Sequence, residues 1–259
     1  EMAVISLADY YRTLTLGIIA YFRQANIEPK TKFKIPPTTK EKKTYVIVFG
    51  SDQGLVAQFN DSLTSFVSLS LKNIAGKKEV WAVGERVQLL LSDVGLTTTL
   101  LFHVPNSVHA ITPLVSKILL NCLDKNKSRN EFYIFHNQPK QARGYLPVMQ
   151  RLLPLDKKWK DKLEIIPWPT KKLPQVAGGM KSTLEALIRE YLFVSLFKAC
   201  AESLSSENAS RLNAMQRAEK SIEELLDNLG FEFNRLRQSS IDEELFDVVS
   251  GFEMLSKKK

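Results

Sequence analysis

From Ser182 to Leu255 the chain contains no proline, and glycine occurs there only at Gly230 and Gly251. Apolar side chains at Met215, Ala218, Ile222, Leu225, Leu229, Phe233 and Leu236 recur every three or four residues, and Leu184, Leu187, Tyr191 and Val194 keep that spacing upstream. An average step near 3.5 is the coiled-coil period. Roughly 74 residues rising 1.5 Å each make a helix of about 110 Å. The remainder of a 259-residue chain is too small to cover that length. The helix must pack on another chain, on a helix near the N-terminus, or on both.

A partner helix is available at the front. Between Ala3 and Gln24, Val4, Leu7, Tyr11, Leu14, Ile18 and Tyr21 repeat at helical spacing. Pro29, Pro36 and Pro37 prevent its continuation. The middle of the chain instead alternates short apolar runs with helical patterns. Strands are expected at Tyr45–Phe49, Glu79–Val83, Thr97–Val104, Glu131–Phe135 and Leu163–Ile166. Helices are expected at Asn60–Asn73, Glu85–Asp93 and Ser107–Asp124, with Ser107 as an N-cap. Such alternation implies an α/β fold: a Rossmann-like, mostly parallel five-stranded sheet with helices on both faces, flanked by the long terminal helices.

The formal charge of +8 favours an anionic neighbour, but it is unevenly spread. Residues 1–43 carry 8 basic and 4 acidic side chains, and residues 179–259 carry 11 and 14. The long helix is therefore acidic, unlike a helix that binds nucleic acid. Lysines 30, 32, 34, 40, 42 and 43 surround Pro36-Pro37 with Phe33 as their one aromatic neighbour, a pattern that suits a solvated linker better than a base-stacking platform. Two cysteines, Cys122 and Cys200, cannot form a disulfide framework. The longest apolar run, Leu14–Phe22, is about half of a bilayer span. No leader pattern opens the chain, and a start at Glu1-Met2 implies that the natural N-terminus lies further upstream.

No catalytic constellation emerges. Phe49-Gly50-Ser51-Asp52-Gln53-Gly54 stands where a phosphate-binding turn would be, yet it lacks the third glycine of one nucleotide motif and the Gly-Lys-Ser/Thr of the other. His103, His109 and His136 lack metal-ligand spacing, and no cofactor or metal site is expected. His103 and His136 fall near strand ends and read as structural. Gly178-Gly179 reads as a lead-in to the long helix.

Three segments resemble one family. Gly50-Ser51-Asp52-Gln53-Gly54-Leu55 through Phe59-Asn60 is similar to a strand-turn signature, G-S-D-[RK]-G-L-C-G-x-[FY]-N. Ser206-Glu207-Asn208-Ala209-Ser210-Arg211-Leu212 with Ala214-Met215 resembles S-E-x-x-x-R-[ML]-x-A-M. Phe233-Asn234-Arg235-Leu236-Arg237-Gln238-Ser239-Ser240-Ile241 is similar to Y-N-x-x-R-Q-x-x-I. All three signatures are those of the gamma subunit of F-type ATP synthases, which the chain resembles. Val56-Ala57-Gln58 replaces the usual Cys-Gly-Gly, Asp242 stands where Thr is usual, and Phe252 where Ala is usual. The family's opening Lys-Ile-Thr and Ala-Met segment is also missing. These departures imply a divergent, alternate-type branch.

The resemblance implies a central-stalk rotor that couples ion flow through a membrane ring to ATP synthesis or hydrolysis at the beta subunits. On that reading residues 1–25 and 179–259 form an antiparallel coiled coil, 26–43 a linker, and 44–178 the α/β domain. The implied partners are the alpha and beta subunits, the epsilon subunit and the ring of c subunits, with no nucleic acid and no transmembrane segment. The chain would be a non-catalytic, peripheral subunit on the cytoplasmic face of a bacterial plasma membrane. Arg237 and Gln238 occupy the family's Arg-Gln pair, which reaches a beta-subunit loop, with Asn234 and Arg235 beside them as weaker contacts. Gly50, Ser51, Asp52 and Gly54 would shape the turn, with Asp52 stabilising it. The alternative from the residues alone is an α/β nucleotide-binding enzyme with a helical appendage. A coiled-coil scaffold or nucleic-acid binder ranks behind both.

Overall fold

The computed structural model describes residues 2–27, 43–74, 76–125, 130–140, 144–154, 168, 172 and 179–256. Helix α1 spans Met2–Ile27. Then come β1 (Lys43–Phe49), α2 (Phe59–Lys72), β2 (Lys77–Val83), α3 (Glu85–Asp93) and β3 (Thr98–Phe102). A 3-10 turn at Val108–Ala110 leads into α4 (Ile111–Lys125), followed by β4 (Glu131–Pro139), β5 (Tyr145–Leu153) and α5 (Met180–Ser256). Ser107 precedes the 3-10 turn in extended conformation but makes no side-chain capping bond, contrary to expectation.

The strands form one sheet in the order β3-β2-β1-β4-β5. β1 pairs in parallel with β2 and β4, β2 with β3, and β5 runs antiparallel to β4. The sheet is thus mixed, with one reversed edge. The expected strand at Leu163–Ile166 lies outside the described residues. β5 itself escapes a pattern search because Pro147 interrupts it; an edge strand tolerates that missing N–H.

Alternation along β1 sorts two cores. Tyr45, Ile47 and Phe49 join Trp81, Phe132 and Ile134 on one face, under α1, α4 and residues 191–200 of α5. Val46, Val48, Val80, Ala82 and Phe135 fill the other face beneath Leu63, Val67 and Leu71 of α2 and Val87 and Leu91 of α3. Central strands buried on both faces are what a parallel sheet requires. α1 and α5 meet on the first face. Tyr11 packs on Tyr191 with ring centroids 5.8 Å apart, Tyr10 donates to Glu190 at 2.8 Å, and Gly17 lies close to Leu187. Advancing along α1 therefore means receding along α5.

Two compact units result, residues 1–211 and 212–259. The first holds the sheet and both cores. The second is helical through Ser256, and every residue from 215 to 249 is exposed.

The turn after β1 carries two left-handed residues other than glycine, Leu55 (φ 59°) and Ala57 (φ 50°). Ala57 occupies the position where the resembling signature has glycine. Left-handed backbone costs an L-residue roughly 1–2 kcal/mol, partly offset by glycine's greater freedom when unfolded. Ala57→Gly is therefore expected to stabilise the protein by about 0.5–1 kcal/mol, measured as a raised urea midpoint at unchanged slope. An unchanged or lowered midpoint would refute this.

Candidate functional site

In an open α/β sheet, ligands bind in the crevice outside the strand carboxyl ends where strand order reverses. Here that point lies between β1 and β4, since α2 and α3 cover one face and α4 the other. The chain fills it with its own residues.

The turn Gly50-Ser51-Asp52 follows β1. Gly50 N–H donates to Val83 O at 2.9 Å, holding the turn against the end of β2. Asn60, in the first turn of α2, accepts from Ser51 N–H at 3.0 Å and donates to Ser51 Oγ at 2.8 Å. Asp52 accepts from the Glu85 N–H at 3.0 Å and the Val104 N–H at 2.9 Å, tying the start of α3 and the end of β3 together. A Cβ on Gly50 would collide with Val87 and Asn60, so glycine is required there. Gly54 has open space around it and no such demand.

α5 closes the crevice from the other side. Ser203, Ser206 and Ser210 donate their hydroxyls to Phe49 O (2.9 Å), Asn137 O (3.0 Å) and Val56 O (2.7 Å). Glu202 pairs with buried His136 at 2.8 Å and accepts from Gln138 at 3.2 Å. Burial alone would push the Glu202 carboxyl up, but the His136 bond and the Lys198 charge outweigh it and hold the pKa below the ordinary value. Glu207 is also buried and accepts from Arg211 at 2.7 Å. There burial prevails over Arg211, with Asp52 adding to it, and the pKa is raised. Of these residues, Ser206, Glu207, Ser210 and Arg211 are visible in the sequence only as part of a family signature. Glu202, Ser203 and His136 carried no motif.

What remains open beside the turn is a polar cleft of about 230 Å³ lined by Asp52, Gln53, Val104, Pro105, Glu207 and Arg211. That is smaller than ordinary small-molecule sites, which begin near roughly 300 Å³. Among the described residues no group of three or more His, Cys, Asp or Glu is placed to hold a metal. Cys122 and Cys200 are buried free thiols, each pushed up to about 12 by burial and so unreactive. Among the described residues no helix is long and apolar enough to cross a membrane.

The Glu202 shift gives stability a pH dependence of known sign. A folded-state pKa below the unfolded one contributes stability above the ordinary carboxylate value of 4.5, lost as pH falls through the folded value. Glu202→Gln is expected to cost about 1–2 kcal/mol at pH 7, with the gap from the unsubstituted chain narrowing below pH 4.5. Denaturant midpoints at both pH values check it, and a gap that widens in acid would contradict the pairing.

The second unit carries the other expected site residues. Asn234, Arg235, Arg237 and Gln238 are all exposed on α5. Asn234, Arg237 and Gln238 share one helix face at i, i+3 and i+4, and Arg235 borders that face at i, i+3 to Gln238. Around them Leu225, Leu229, Phe233 and Leu236 are each about 59–65% exposed, and with Ile222 they form a stripe at the spacing of a packed helix. An uncovered apolar stripe this long marks a surface that meets another protein.

Comparison with known proteins agrees in every direction. The family model described as ATP synthase matches residues 1–255. An ATP synthase gamma chain from Clostridium botulinum (strain Langeland) is 30% identical over 252 residues, covering 94% of this chain and 81% of that one. The gamma chain of Malacoplasma penetrans is 29% identical, covering 82% and 74%. Two solved structures share the fold. The central stalk and c-ring assembly of the Tetrahymena thermophila mitochondrial ATP synthase gives a TM-score of 0.54 at 22% identity, covering 84% of this chain and 96% of that one. A Euglena gracilis mitochondrial ATP synthase chain gives 0.58 at 15%, covering 100% and 94%. A domain whose ligand crevice is stopped by its own helix, and matched over nearly its whole length by these relatives, has one reading: the chain belongs to the ATP synthase gamma-chain family.

Proposed function

We propose that this gamma chain is the central-stalk rotor of an F-type ATP synthase, turning between a membrane ring of c subunits and a hexamer of alpha and beta subunits. The observation that carries the reading is α5 itself. It is rooted by buried side chains in the α/β domain and continues as helix to Ser256 with an exposed apolar stripe. The stripe enters the hexamer, and the antiparallel contact of α1 with α5 extends into a coiled coil. The α/β domain faces the ring together with the epsilon subunit, on the cytoplasmic side of a bacterial membrane. The chain performs no phosphoryl chemistry; it biases each beta site by contacts that differ between rotational states. The nucleotide-enzyme alternative is disfavoured because α5 occupies the crevice such an enzyme needs.

In this assignment Arg237 and Gln238 grip a loop of the beta subunit, with Asn234 and Arg235 flanking. A guanidinium suits that task because its fork binds a carboxylate through two hydrogen bonds. Arg237→Ala with Gln238→Ala is expected to leave the isolated chain's melting temperature within about 1 °C, since both side chains are exposed. Ion-driven ATP synthesis in membrane vesicles should fall about tenfold, the loss of one charge-assisted contact. Normal synthesis by the double variant would remove the contact assignment.

A further inference from the structure

Apolar packing holds α5 on the sheet through Leu192, Leu196, Ala199 and Cys200. Such contacts keep the apolar stripe on the sheet, but being non-directional they tolerate small turns of the helix about its own axis that a hydrogen bond does not. The next two turns of α5 are different. Ser203, Ser206 and Ser210 are spaced by three and four and so occupy one face. All three are buried. Each hydroxyl donates to a main-chain carbonyl, and the acceptors belong to β1 (Phe49), β4 (Asn137) and the turn before α2 (Val56). Glu202 adds its bonds to His136 and Gln138 of β4. No one strand or loop holds all of these acceptors, so no single local movement releases them. Rotating α5 by one residue, about 100°, would carry every hydroxyl off its acceptor and strand buried carbonyls.

We propose that Ser203, Ser206 and Ser210 form a torsional lock that makes α5 and the α/β domain turn as one body. The inference rests on the rotor reading and adds to it the residues that pass torque between domain and shaft. Apolar contacts alone leave small axial turns cheap, and directional contacts on one side of a helix stiffen it against them. The three hydroxyls, with the Glu202–His136 pair, are those contacts.

The test uses the chain assembled with its alpha and beta subunits, the hexamer fixed to a surface and a bead attached to the α/β domain. The quantity read is the angular variance of the bead while the motor waits for ATP. Ser203→Ala, Ser206→Ala and Ser210→Ala together are expected to raise that variance about twofold or more, because only non-directional packing remains at those turns. Ser206→Ala alone should give a smaller rise, and it decides the matter if the triple variant fails to assemble. Ser239→Ala, on the exposed part of α5, should match the unsubstituted chain. Variance unchanged in the serine variants, beside a rotating control, would overturn the lock while leaving the rotor reading intact. An unsubstituted chain that assembles but never rotates the bead would overturn both.

Discussion

Alanine at Gly84 is expected to destabilise the α/β domain by about 3–5 kcal/mol, lowering its melting temperature by roughly 10 °C. Gly84 follows β2 with φ +117°, and a Cβ there would stand 2.5 Å from Ser51 O, 2.7 Å from its carbonyl carbon and 2.9 Å from its amide nitrogen. Those neighbours are backbone, so relief requires moving the turn itself. The turn cannot move cheaply. Gly84 N–H donates to Phe102 O at 2.8 Å, Gly50 N–H to Val83 O at 2.9 Å, and Arg86 N–H to Ser51 O at 3.0 Å. Gly95→Ala separates the two contributions, because Gly95 also has positive φ (+78°) but open space around it. It should cost only about 1 kcal/mol, the backbone term alone. Equal losses at the two positions would show that the close approach of Gly84 to Ser51 carries no weight.

The opposite pattern, function lost and stability kept, is expected of Leu225→Gln, Leu229→Gln and Leu236→Gln combined. These leucines are about 59–63% exposed in the chain alone, so the substitutions remove little buried area and should shift its melting temperature by no more than about 2 °C. On assembly each leucine would lose apolar contact worth about 1.5–3 kcal/mol when fully buried. Discounting for partial exposure and ordering costs still leaves about 4 kcal/mol, or a roughly thousandfold weaker hold on the alpha and beta subunits. Titration of labelled chain onto the hexamer measures it. A triple variant that binds as tightly as the original would place the stripe outside the interface.

These two sets of residues differ in how they could be read from sequence. The stripe on α5 was legible because helical period survives over many turns and no proline or tertiary packing interrupts it. Strands β1, β2 and β4 were legible for a related reason: burial on both faces demands β-branched and aromatic runs. β5 was hidden by Pro147, since an edge strand is permitted residues that a central one is not. Gly84 was hidden because its constraint comes from Ser51, a neighbour in space and not in sequence.

The crevice shows the limit most clearly. Gly50, Ser51 and Asp52 can be read as a turn, but which molecule sits above that turn depends on the topology. Serines 203, 206 and 210 look like ordinary polar residues of an amphipathic helix until β1, β4 and the turn before α2 present carbonyls to them. Glu202 and His136 likewise gain meaning only as a pair across 66 residues of chain. The surface of α5 beyond Arg211 stays uncovered, with every residue from 215 to 249 exposed.

As the proposed rotor, this chain turns inside a ring of alpha and beta subunits. Single-molecule observation tests it most directly: the chain is combined with those subunits, the hexamer is immobilised, and a bead is fixed to the α/β domain before ATP is added. The bead is expected to rotate steadily in one direction, pausing at positions set by the beta sites. A hexamer that hydrolyses ATP with the chain bound and the bead stationary would contradict it.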